Sequence, residues 1–197
     1  MALTPSSADT ALDISSRALI LIGAEPISSF DDGTTEALVC VNLYEDVIQA
    51  ALVNTRWRFA TNQKVLNRLS DAPTGRYDLA YQLPSDLIML HAITVNDNLV
   101  DYQVYGDKVY ADTATSDVVI ADYTFRANEQ DFPSYFTLAV EFSLAVILAT
   151  SIARDPALAS LMTQRADAAM AKARSTDSQQ QTTRKLETSR FLTARRS

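Results

Sequence analysis

Apolar residues recur along this chain in two rhythms, a helical one at both ends and an alternating one in the middle. Ala8, Ala11, Leu12, Ala18, Leu19 and Ile22 return at helical spacing behind a Thr4-Pro5 opening, which predicts a first helix over 5–22. Gly23 can take the left-handed conformation that closes a helix, and Pro26 prevents its resumption. Asp31, Asp32 and Thr34 offer oxygens to the free N–H groups of a second helix over 34–55, and Glu36 adds negative charge at its positive end. That helix is apolar on two sides. Leu38, Val41, Ile48 and Leu52 mark one stripe; Val39, Leu43 and Val47 mark another. A helix of this kind needs two partners. One is its own core, and the expectation for Leu43 and Val47 is a second subunit. The short connection between the two helices predicts that they pack antiparallel.

The texture changes after Trp57. Residues 60–127 read as a small antiparallel β insertion. Lys64 to Leu69 is a short segment, and Asp71-Ala72-Pro73-Thr74-Gly75 is a turn. Tyr77, Leu79 and Tyr81 alternate with Asp78, Ala80 and Gln82, the period of a strand. Pro84-Ser85-Asp86 breaks it, and Leu87 to Val95 forms the next strand. Val95 to Leu99 and Tyr105-Gly106-Asp107-Lys108 are hairpin turns. Val118 to Phe125 is the last strand. A third helix over 133–153 follows, with almost no polar residue but Glu141, which predicts a central position. Asp155-Pro156 opens a fourth over 156–175, striped by Leu158, Leu161, Met162, Ala168 and Ala169. The expected fold is α+β: a mainly α-helical bundle with a small inserted antiparallel β-domain and an extended C-terminal arm.

Charge separates that arm from the rest. Within 178–197, Arg184, Lys185, Arg190, Arg195 and Arg196 stand against Glu187 alone, a charge of +4. The chain as a whole carries −7, so residues 1–177 carry −11. The organisation is therefore a body over 1–177 and a basic docking tail over 178–197. Its few apolar residues cannot build a core. Two readings stand: a solvated tail without a role, or a docking arm in which Phe191-Leu192 is the apolar anchor and Arg184, Lys185, Arg190, Arg195 and Arg196 pair with acidic groups on a partner.

Candidate chemistry is sparse. An acidic chain is a poor general nucleic-acid binder, because phosphate neutralisation needs clustered Lys and Arg. One Cys and one His cannot make an intrachain disulfide or a Cys/His metal cluster. Asp31, Asp32 and Glu36 lack the spacing of a calcium loop and read as helix caps. The four glycines are not spaced as a phosphate loop. His91 has no serine or cysteine motif beside it, so it reads as a sheet histidine and not a general base. Trp57 and Phe59 could stack bases, but core or interface packing accounts for them. No catalytic residue, cofactor or metal is assigned. The N-terminus lacks the pattern of a signal peptide, and the longest apolar run, Leu144 to Ala149, is short of a membrane span. A soluble protein of a reducing cytoplasm, with no membrane partner, is expected.

One resemblance joins these pieces. A helix, then Ile22-Gly23-Ala24-Glu25-Pro26-Ile27-Ser28-Ser29-Phe30-Asp31-Asp32, a helix bearing Tyr44, then Trp57 and Phe59-Ala60 resembles the start of phage head-to-tail adaptors. The tail tubular protein A family of short-tailed phages is the nearest pattern. Ala80 to Asp86 and the apolar helix after Asp131-Phe132-Pro133 fit it in order, so the resemblance covers roughly 12–174. It implies a structural virion protein of the neck, assembled in the host cytoplasm and without enzymatic activity. Its copies would form a ring, a dodecamer, beneath the portal protein. The ring would join the portal to the tail nozzle protein and let double-stranded DNA pass without specific binding. A nucleic-acid-binding accessory protein using the basic tail, or a small cytoplasmic enzyme with an unrecognised site, are the alternative readings.

Overall fold

The computed structural model describes residues 10–70 and 75–180 of the chain. Helix α1 is Ala11–Leu21, capped by Thr10, whose hydroxyl accepts from the Asp13 amide at 3.1 Å. Thr10 has extended backbone, so the helix starts here; the expected opening at Thr4-Pro5 lies outside the described residues. Gly23 ends α1 as expected. At φ +78° it lets its own amide reach the Ile20 carbonyl and the Ala24 amide reach that of Leu19, the paired bonds of a Schellman close.

Helix α2 is Thr35–Val53, and Thr34 alone caps it, accepting from the Ala37 amide at 3.2 Å. Asp32 caps something else. Its carboxylate accepts from the amides of Ser28 and Ser29 at 2.8 and 3.0 Å and holds the preceding turn. Those two backbone donors, and the Ser28 hydroxyl, keep it below the usual carboxylate pKa range. A three-residue turn, Arg58–Ala60, then leads into the strands.

The strands are β1 (Thr61–Val65), β2 (Asn67–Arg68), β3 (Leu79–Gln82), β4 (Leu87–Val95), β5 (Asn98–Leu99), β6 (Tyr102–Tyr105), β7 (Lys108–Ala111) and β8 (Val119–Phe125). They form two antiparallel four-stranded sheets, β1-β8-β4-β5 and β2-β3-β7-β6, where the sequence suggests a single small sheet. The crossing point is Leu66. Its amide donates to Val119 in one sheet while β2 pairs with β3 in the other. Both expected hairpins form. Asn96 and Asp97 take positive φ between β4 and β5, as does Gly106 between β6 and β7, as two-residue turns of this twist require. Leu66, Tyr81 and Val109 meet Ile93, Val119, Ala121 and Tyr123 in a core between the sheets.

Helices α3 (Ser134–Ser151) and α4 (Pro156–Ser178) complete the chain. Asp155 caps α4 by accepting from the Ala157 and Leu158 amides, with Pro156 in the first turn. Helix α3 touches all three other helices, the central position its composition predicts. Helix α1 leans mainly on α3 and only lightly on α2. The second core lies here: Ile14, Leu19, Ile48, Leu52, Trp57, Phe136, Leu144 and Leu148 are fully buried together. α3 is long and apolar enough to cross a membrane, yet half of it is buried inside the fold, which accounts for its apolarity. Helices occupy 46% and strands 22% of the described residues, so the chain is mixed α and β, with more sheet than a small insertion suggests.

Candidate functional site

Burial divides α2 differently from the two-stripe reading. Val47 is 8% exposed and belongs to the chain's own helical core, and Leu43 is half-buried. Ile48 and Leu52 are fully buried as well. The most open apolar side chains lie at the start of the helix, where Leu38 is 62% and Val41 51% exposed; Val53, at its far end, is 42% exposed. Helical spacing places Leu38 and Val41 on one face. Phe30, held half-buried just before the cap, joins them around a small groove of about 280 Å³ that Asp31, Thr34 and Thr35 complete. Sequence could not choose between the faces, since both carry apolar residues of similar size.

Around this helix two polar clusters fix the body. Arg126, just past β8, donates twice to Glu45 of α2 at 2.9 Å and once to Glu129 at 2.6 Å. Its guanidinium also lies 5.8 Å from the Phe132 ring centre. Tyr44 donates to the same Glu129 at 3.2 Å. Burial and the Glu129 charge push the Tyr44 pKa far up, so it stays a donor. The arrangement clamps the end of the β region to α2. Tyr44 carries part of the family resemblance; nothing in the sequence pairs it with Arg126.

The second cluster surrounds Asp177, only 4% exposed in the last turn of α4. Its carboxylate accepts from the Tyr135 hydroxyl at 2.9 Å and the Arg58 amide at 3.3 Å, and the Arg58 side chain donates to its carbonyl at 3.0 Å. Burial and this bond to Asp177 push the Tyr135 hydroxyl up to about 12. The apolar stripe of α4 is Ala159, Met162, Ala166, Met170 and Ala173, with Leu161 and Ala168 facing outward. Beyond Ala173 the buried Asp177 carries the helix three residues past its expected end at 175.

The individual residues weighed for chemistry find structural settings. Trp57 is fully buried, its indole N–H donates to the Ala51 carbonyl at 2.8 Å, and its ring meets that of Phe136 edge-on at 5.1 Å. No face is open for a base. His91 Nε2 lies 2.7 Å from the buried Thr124 hydroxyl. Burial and then the Arg56 charge lower its pKa, with Asp122 opposing, so the ring is neutral at pH 7. Cys40 is buried, and burial pushes its thiol up to about 11, which leaves it unreactive. Glu141 is 6% exposed on α3 and faces Arg17 of α1 at 3.5 Å; burial raises its pKa. Among the described residues, no group of three or more His, Cys, Asp or Glu is placed to hold a metal.

Two further clefts open among the described residues. One of about 550 Å³ opens where the two sheets meet, between Lys64–Asn67, Gln82–Ser85 with Leu87, and Gly106–Asp107. The other, about 410 Å³, follows the turn after α1 and carries Glu25, Asp32 and Glu36. Neither brings a nucleophile to a base. The tail residues assigned to partner binding, Arg184, Lys185, Arg190, Phe191, Leu192, Arg195 and Arg196, lie outside the described residues. No protein-family model matches the chain, and no curated protein matches it.

Proposed function

We propose that this chain is a structural assembly protein, a head-to-tail adaptor of the kind it resembles. Copies pack side by side through the start of α2 into a ring beneath a portal. The ring joins portal to tail nozzle and leaves a passage for double-stranded DNA. The four helices are the bundle of that adaptor, the paired sheets its insertion, and 178–197 the arm that docks on the portal. Assembly takes place in the host cytoplasm, and the protein ends in the neck of the virion.

The observation that carries this reading is the open apolar face of α2. Leu38, Val41 and Phe30 form a contiguous patch on a strongly acidic body, at the end of the segment that carries the resemblance. Apolar surface rimmed by polar residues marks an association site more often than a catalytic one. The acidic body fits a conduit: a basic lumen would hold DNA instead of letting it slide. The test is mass in solution and negative-stain images, with and without portal-bearing heads. Rings in either condition are expected. Compact monomers that never decorate heads would exclude the adaptor, and a salt-dependent gel shift lost on deleting 178–197 would favour the nucleic-acid accessory instead.

A further inference from the structure

We infer that the groove at the start of α2 is the seat of Arg190-Phe191-Leu192 of the same chain. The inference rests on the proposed function in one respect: the face so covered is the one assigned there to subunit contact.

The groove suits this occupant in size. At about 280 Å³ it lies just under the range of pockets that enclose a drug-sized ligand, and it fits an apolar side chain or two. Its floor is apolar, from Phe30, Leu38 and Val41. Phe191-Leu192 is the apolar pair within 178–197 that can fill it.

Charge agrees with size. Asp31 lines the groove, Glu36 stands in the first turn of α2, and no cationic side chain lines it among the described residues. The tail brings Arg190 immediately before the apolar pair, and Arg195-Arg196 after it. A basic segment on an acidic body gains from this pairing at low ionic strength, while the apolar contact is not screened.

Reach is sufficient. Arg174 donates to Asn54 at 3.4 Å, and Asp177 holds Arg58, so α4 ends beside the C-terminal end of α2. The groove lies at the other end of that helix. From Asn54 back to Val41 is about 20 Å, at about 1.5 Å per residue. The chain from Gln180 to Phe191 spans up to about 36 Å when extended. The contact is thus within reach in one chain, where tethering gives it a high effective concentration. A partner that draws the tail away would uncover Leu38 and Val41, so docking of the arm and subunit contact become coupled.

The test uses the full chain with two cysteines that spare the apolar residues: Thr35→Cys on the groove rim and Thr193→Cys beside the anchor. Cys40 stays, because its buried thiol does not compete at neutral pH. A short bis-maleimide should join 35 to 193 within one chain, at a rate independent of protein concentration. That rate should exceed the rate for an Asn98→Cys/Thr193→Cys control at least ten-fold. Leu38→Asp or Phe191→Asp should bring it down to the control. Equal rates for the two pairs would overturn the inference. Joining only between chains, rising with concentration, would overturn it too, since the seat would then belong to a second copy. Rings on heads together with equal rates would sink this inference and leave the adaptor reading standing; efficient joining without rings would do the reverse.

Discussion

Replacing Trp57 by Ala tests whether the corner after α2 anchors the helical core. The side chain is fully buried, meets Phe136 edge-on at 5.1 Å and lies 6.0 Å from Phe59. Removing a buried Trp typically costs about 3–5 kcal/mol in transfer and cavity terms. The upper half of that range applies here. The indole N–H satisfies Ala51, one of the last four carbonyls of α2, the groups a helix end leaves short of partners. Leaving a buried acceptor unpaired adds about 1–3 kcal/mol unless water enters. Trp57→Phe keeps most of the volume and loses the hydrogen bond, so it should cost clearly less than Trp57→Ala. Equilibrium urea unfolding followed by circular dichroism is the assay, since this is the sole Trp and its fluorescence disappears with it. A cost below about 1 kcal/mol for Trp57→Ala would refute the burial argument and return the ring to the surface, where stacking on a base becomes possible.

Other perturbations read the polar clusters. Arg126→Met should cost about 1–2 kcal/mol, less than a fully buried pair, because Glu45 is half in solvent while Glu129 is more enclosed; a double-mutant cycle with Glu129→Gln in urea should show coupling, and strict additivity would deny the clamp. Asp177→Asn should leave the fold intact but speed amide hydrogen exchange in the last turn of α4, and unchanged exchange would show that the carboxylate does not fix that end. Glu141 has a folded pKa raised above its ordinary 4.5, so between those two values the native state binds more protons than the unfolded chain. Its contribution is therefore lost as pH rises through that window. Glu141→Gln should flatten the stability profile there in urea titrations, and parallel wild-type and variant profiles would count against it.

Signals confined to a few residues were legible in the sequence. Gly23 closes α1, Asp155-Pro156 opens α4, and both two-residue hairpins fall where the turn residues stand. Signals that depend on a distant partner were not. β1 is Thr-Asn-Gln-Lys-Val, with no apolar alternation, and is a strand because β8 pairs with all of it. The division into two sheets turns on Leu66, which looks like any other leucine until its amide finds Val119. On α2 the apolar count was legible and the division of its faces was not: Val47, Ile48 and Leu52 join the helical core that α3 shares, and nothing within α2 says where α3 lies. The tail residues proposed to dock are assigned from their chemistry alone, and the groove beside Leu38 emerges only once Phe30 is placed next to it.

The most direct test of the central claim is ring formation by Leu38→Asp beside wild type, imaged on portal-bearing heads, with thermal melting measured on the same samples. Leu38 stands outside the buried core, so the substitution leaves the core contacts in place. The account predicts wild-type rings, none for Leu38→Asp, and melting temperatures within a few degrees of each other, since a surface change is worth within about 0.5 kcal/mol. Rings formed equally well by both proteins, or no rings from either, would contradict it.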